Sequence, residues 1–220
     1  MTGLFAYPAA TEFGKPVPKT KILGHAHASA TVKQAFTDEV AQIIWRNKLF
    51  PKSVNLATHE AVQEIEIFEL VLKGEDVSDA VLALIDRAVA FPIIFELNRA
   101  EKVCATAAYK RPSESDSAKW VIGQYFKGPW KPVDAPRSAL PFALNLSALY
   151  REMLQSLMPH APRPGETMDD FATRVSALGT LQKACDKLEA QMKVEKQFNR
   201  KVELNAKLRH MKQELETLQA

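Results

Sequence analysis

Two cysteines, Cys104 and Cys185, are all that the 220 residues contain. That excludes a disulfide-stapled fold, and no paired CxxC spacing gathers the thiolates a zinc site needs. Glycine is scarce too, eight in all. Gly123 and Gly128 stand alone, and no GxxxxGK run exists to wrap a phosphate in backbone N–H groups. Neither a nucleophile elbow nor a Ser/His/Asp set is visible. No window approaches the ~18 consecutive apolar residues of a membrane span. Met1 to Pro8 has no basic start and no apolar stretch, so the expectation is a cytoplasmic protein without a leader. The formal charge of +3 is too small to mark a nucleic-acid binder by itself. No cofactor and no metal are expected, and enzymatic activity is left open, with a non-enzyme favoured.

What the chain does have is a long polar helix at its end. After Gly165 no proline occurs, and Gly179 is the only glycine. Before that point the pattern is mixed. Residues 1–28 read as extended and irregular around Pro8, Pro16 and Pro18. A helix is expected from Ser29, with Ser29 or Thr31 as its cap, running towards Asn47 with Phe36, Val40, Ile43 and Ile44 on one face. Glu64 to Lys73 is β-rich and stopped by Gly74. Ser78 should cap an amphipathic helix carrying Val81, Leu84 and Ile85. Three further β-like runs follow, Ile93 to Leu97, Val103 to Tyr109 and Trp120 to Phe126, and their short connections favour an antiparallel meander. A proline-rich loop leads to a helix from Leu146 to Leu157. The fold expected is therefore α+β: a small antiparallel or mixed sheet of about four strands with packed helices, then a helical, coiled-coil-like tail. Pro159, Pro162, Pro164 and Gly165 make a stiff linker, which divides the chain into a globular domain 1–158, a linker 159–165 and a tail 166–220.

Within the tail, Leu178, Leu181, Cys185, Leu188 and Met192 keep 3–4 spacing, as do Leu204, Leu208, Met211, Leu215 and Leu218. The two sets are out of heptad register, their centres roughly 120° apart around a straight helix. Val194, Phe198 and Val202 form a third stripe between them. A uniform coiled coil would be interrupted there, so the helix must bend, fold into a hairpin or pack against different surfaces. Leu181, Leu188, Met192, Phe198, Leu204, Leu208, Met211 and Leu215 are the candidate partner-binding positions, with a larger protein expected first and a homodimer as the alternative.

Charge is concentrated in two places. Seven Lys/Arg against two acids lie between Lys193 and Lys212, and eight against four between Arg99 and Arg137. Basic groups that neutralise phosphate, beside rings that offer stacking faces, are what single-strand binding requires. Lys110, Arg111, Lys119, Lys127 and Lys131, near Trp120, Phe126 and Trp130, are one candidate nucleic-acid surface. Lys193, Lys196, Arg200 and Lys201 are the other. The competing reading makes the aromatics inward strand residues ringed by solvated lysines. Asp86, Glu96 and Lys110 also fall in the order of a metal-dependent nuclease core, but Glu96 is not followed by x-Lys. His25-Ala26-His27 lacks a third ligand at telling spacing.

Several segments together resemble a known family. They are Pro8…Phe13-Gly14-Lys15…Pro18-Lys19, Ile44-Trp45-Arg46-Asn47-Lys48-Leu49, Glu64-Ile65-Glu66-Ile67-Phe68-Glu69, Ile93-Ile94-Phe95, Ala108-Tyr109-Lys110, Trp120-Val121, Tyr125-Phe126 and Lys196-Gln197-Phe198-Asn199-Arg200-Lys201-Val202-Glu203-Leu204-Asn205. In this order they are similar to the bacterial domain-of-unknown-function family 4391. The resemblance implies no catalytic residues. It implies a neighbourhood of helicase and DNA-methyltransferase genes in phage-defence or restriction loci, and hence an accessory subunit that docks a helicase-like protein through its tail. A stand-alone nucleic-acid binder and a divergent nuclease are the alternatives.

Overall fold

The computed structural model describes residues 3–113 and 120–219. It separates into two compact units, Met1–Met158 and Pro159–Ala220.

The first unit is built on a seven-stranded mixed sheet, not one of about four strands. In chain order its elements begin with β1 (Phe5–Ala6), β2 (Glu12–Pro16), α1 (Lys19–His25), α2 (Ala30–Glu39), β3 (Val40–Leu49) and α3 (Pro51–Val54). Then come β4 (Ile65–Leu72), α4 (Asp79–Ala88), β5 (Ile93–Arg99), β6 (Lys102–Pro112), β7 (Trp120–Lys127), β8 (Lys131–Pro132), β9 (Ser138–Ala139) and α5 (Leu146–Gln155). The large sheet runs β2-β3-β4-β5-β6-β7, with β8 pairing β6. All neighbours are antiparallel except β4 and β5, which are parallel and joined by α4 as a crossover. β1 and β9 form a separate parallel pair.

Three strands are extra, β2, β3 and the two-residue β8, and the sequence pattern disguised the first two. The helix that starts under the Ser29 cap, where Val32 donates its N–H at 3.3 Å, ends at Glu39 instead of Asn47. From Val40 the chain is extended. Ile43-Ile44-Trp45 is β-branched and aromatic, and those residues pack well on a pleated surface while losing rotamer freedom in a helix. β2 hides among prolines at the sheet edge, where a missing N–H costs no ladder bond.

One face of the sheet carries α1, α2 and α4. Ile22, Phe36, Val81, Leu84 and Ile85 meet Phe68, Leu70, Phe95, Leu97 and Cys104 in a single buried cluster. α5 lies on the other side, its Leu149, Tyr150, Met153 and Leu154 fully buried. Gly3 sits there at φ +65°, and a Cβ on it would fall 2.1 Å from Leu157.

Tyr150 ties α5 to the sheet. Its hydroxyl donates to the Ala108 carbonyl at 2.8 Å and accepts the Lys110 N–H at 2.9 Å. The β6–β7 register slips between these same residues. Tyr150→Phe should therefore leave two buried backbone groups unpaired and lower unfolding free energy by about 1–3 kcal/mol. Urea denaturation of the variant measures this. A loss below ~0.5 kcal/mol would mean that water replaces the hydroxyl.

The second unit holds two helices, α6 (Met168–Val194) and α7 (Phe198–Gln219), packed against each other. Thr167 caps α6: its hydroxyl accepts the Asp170 N–H at 3.1 Å and donates to the Asp170 carboxylate at 2.6 Å. The Arg174 guanidinium grips Glu166 at 2.6 and 2.8 Å. The tail is thus not one continuous helix. Glu195 has extended backbone, φ −68° and ψ 132°, and its carboxylate accepts the N–H groups of Lys196 and Gln197 at 2.8 and 2.9 Å. Those bonds satisfy donors at the entry to α7 and hold the Glu195 carboxyl below its ordinary range. Arg163 reaches the Leu218 carbonyl at 2.8 Å, and Lys212 pairs with Glu189 at 2.8 Å, so the helices run antiparallel as a hairpin.

Candidate functional site

The sequence-predicted residues fall into three separate places. The first is inside the first unit. Lys110 and Asp86 are each 2% exposed, their charged atoms 3.6 Å apart. The Lys110 ammonium also donates to the carbonyls of Asp86, Val89 and Phe91, at 2.6, 2.5 and 3.1 Å. These are the last carbonyls of α4 and the turn after it, so the lysine acts as a buried cap where the helix dipole favours a cation. Tyr125 donates to Asp86 at 2.5 Å. Burial pushes the Asp86 carboxyl up to about 6, against the pull of Lys110 and Tyr125, and burial pushes the Lys110 ammonium down. Lys110 is therefore committed inside the core and presents no charge to a phosphate.

The second place is the opposite face. Phe95 and Leu97 belong to the core beneath α4, so Glu96 between them points away from it. Arg137 clamps Glu96 through two bonds of 2.7 and 2.8 Å and donates to the Phe5 carbonyl at 3.0 Å. Glu69 stands opposite Glu96 in the β4–β5 register and pairs with Arg46 at 2.9 Å. Tyr7 lies alongside; burial raises its phenol and the Glu96 charge raises it further. Tyr7, Glu12, Arg46, Asn47, Glu96 and Arg137 border a cavity of about 350 Å³. Each buried carboxylate here already holds a guanidinium, and Arg137 joins β1, the β9 segment and the sheet. The residues suggestive of a nuclease are thus not brought together: Asp86 and Lys110 lie on one face and Glu96 on the other. Among the described residues no three His, Cys, Asp or Glu side chains converge as a metal site would require.

The remaining members of the first basic set are dispersed. Arg111 and Lys131 are half-buried. Lys127 pairs with Asp76 and lies 5.0 Å from the centre of the Trp130 ring, with the Arg99 guanidinium 4.4 Å from the same ring. Trp130 is thus already stacked on cations of its own chain. Lys119 lies outside the described residues.

The third place is the hairpin. Leu208 and Leu215 are buried, while Leu181, Leu188, Met192, Leu204 and Met211 are half-buried. At the tip the pattern inverts. Val194, Phe198 and Val202 are 77%, 78% and 53% exposed. Lys193, Lys196, Arg200 and Lys201 alternate with them along the chain, all exposed; of these Arg200 pairs with Glu195 at 3.4 Å. The out-of-register stripe was the legible signal for this patch. The sequence pattern grouped Val194, Phe198 and Val202 in that stripe, but only Phe198 stood among the candidate partner-binding positions. Lys187, Lys207 and His210, which border a groove between the two helices, were not singled out at all.

Among the described residues no helix is long and apolar enough to cross a membrane. A family model described as Domain of unknown function (DUF4391) matches residues 5–215. No curated protein and no solved structure matches the chain.

Proposed function

We propose, from the premise that the chain belongs to the DUF4391 family, that it is a non-catalytic interaction subunit docking a larger protein through the tip of its α6–α7 hairpin. The observation that carries this is the exposure of Val194, Phe198 and Val202 around the turn from α6 to α7, in a stretch that also holds four exposed cations. Three large apolar side chains left in water at a helical turn gain about 1.5–3 kcal/mol each when a partner covers them. The cations around them select a partner surface with carboxylates at its rim and speed the encounter. The setting we favour is a DNA-targeting helicase complex of the phage-defence or restriction type, because that is the neighbourhood the family resemblance implies.

The test is copurification of the full-length chain with the helicase-like protein of its own locus. The triple variant Val194→Asp, Phe198→Asp, Val202→Asp should lose the complex, by about a hundredfold or more in affinity. Its own melting temperature should stay unchanged, since these side chains are already solvated. Retention of the complex would remove the tip from the interface.

A second reading places nucleic acid on the same cations. It is favoured by Lys193, Lys196, Arg200 and Lys201 lying beside an exposed aromatic ring. Salt separates the two by degree: phosphate binding weakens steeply as counterions are released, whereas docking on apolar side chains with a charged rim weakens far less.

A further inference from the structure

We infer that the groove between α6 and α7, running back from the tip, receives an acidic amphipathic helix of the partner protein; this rests on the docking role proposed above. The groove has a volume of about 450 Å³ and is lined by Ala184, Lys187, Leu188 and Gln191 from α6 and by Lys207, His210 and Met211 from α7. Ala184 to Leu188, Lys187 to Gln191 and Lys207 to Met211 are each four positions apart, so the lining follows one side of each helix. Ala184, Leu188 and Met211 are half-buried. Two helices side by side cover only part of each other's apolar stripe, and a third helix laid along the cleft covers the rest. Ala184 is small enough to let that helix come close, and Met211 is flexible enough to adapt to it.

Charge decides which helix. The ionisable side chains lining the groove are Lys187, Lys207 and His210, with no acid among them. A helix carrying leucines at 3–4 spacing and Glu or Asp on both flanks matches this strip in polarity and shape. A second copy of the hairpin would set Lys187, Lys207 and His210 against the same residues in a two-fold contact, which repels. A nucleic acid would satisfy the lysines but leave Leu188 and Met211 against a polar backbone.

The experiment uses the full chain and two synthetic helical peptides of about twenty residues, identical except that the leucine stripe is flanked by Glu in one and by Lys in the other. Fluorescence anisotropy at moderate salt should show the Glu peptide binding about ten-fold or more tightly than the Lys peptide. Leu188→Asp should abolish the Glu-peptide binding. Because a floor substitution can disturb the hairpin, the double variant Lys187→Glu, Lys207→Glu is the second arm: both lysines are exposed, and the swap should reverse the peptide preference. Equal affinity for the two peptides, or a preference the swap leaves unchanged, overturns the assignment. So does a dimer in solution that Leu188→Asp dissolves, or duplex DNA binding that depends on Lys187 and Lys207. The tip variant is the control that keeps the two proposals apart. Phe198→Asp should still discriminate between the peptides while losing the helicase-like partner. Lost peptide discrimination in the unaltered chain overturns the groove alone, and copurification indifferent to the tip overturns the docking route.

Discussion

Replacing Lys110 by methionine is expected to lower the unfolding free energy by about 3–5 kcal/mol, the cost of breaking a buried ion pair by removing one partner. Methionine keeps the length and the packing of the side chain but removes its charge and its donors. Three carbonyls at the end of α4, those of Asp86, Val89 and Phe91, would lose the ammonium that satisfies them. Asp86 would be left 2% exposed with only the Tyr125 hydroxyl. For a unit of this size the melting temperature should fall by about 10 °C. A fall below ~2 °C would show that the site rearranges to admit water.

Asp86→Leu combined with Lys110→Met separates the attraction from the burial cost. Removing both charges spares the double variant the uncompensated carboxyl, so it should recover part of what the single substitution loses. Recovery will be incomplete, because the three carbonyls still lack a donor. If the double variant is no more stable than Lys110→Met, the carbonyl cap is the whole of the lysine's role.

How much of this was legible in the sequence depends on the range of the interaction. The Ser29 cap, the α4 stripe and the α5 stripe are local patterns, and they appear where periodicity placed them. Val40–Leu49 was misread because its apolar residues fit helical spacing almost as well as they fit alternation. What settles it is pairing with β2 and β4 on either side, which no local pattern records. Sheet size followed from the same error. Lys110 looked like a surface cation because lysines usually are. Its partner lies on α4, two elements back in sequence, and only the topology brings the two together. Phe198 is the opposite case: its stripe was visibly out of register with its neighbours, and the hairpin leaves that stripe unburied.

Glu66 contributes a pH dependence to the first unit, a stability that falls as the pH rises from about 4.5 to 8. The side chain is fully buried within β4. It accepts the Trp45 indole N–H at 2.7 Å, and its other oxygen has no hydrogen-bond partner. Burial, then repulsion from Glu64, pushes its carboxyl from 4.5 up to about 8, against the pull of Trp45 and Lys48. The folded chain therefore keeps a proton that the unfolded chain releases near 4.5. Between those values the native state binds more protons, so its advantage is complete below 4.5 and is lost as the pH passes 8. Glu66→Gln keeps the shape and removes the titration. At pH 5 the variant should match the parent closely, because both side chains are neutral there. At pH 9 it should be more stable by about 2–4 kcal/mol. Urea unfolding at pH 5, 7 and 9 measures the difference, which cancels the contributions of groups common to both proteins. A difference that stays flat across the three would show that the carboxylate is already charged in the native protein at pH 5, with Lys48 answering it in place of a proton.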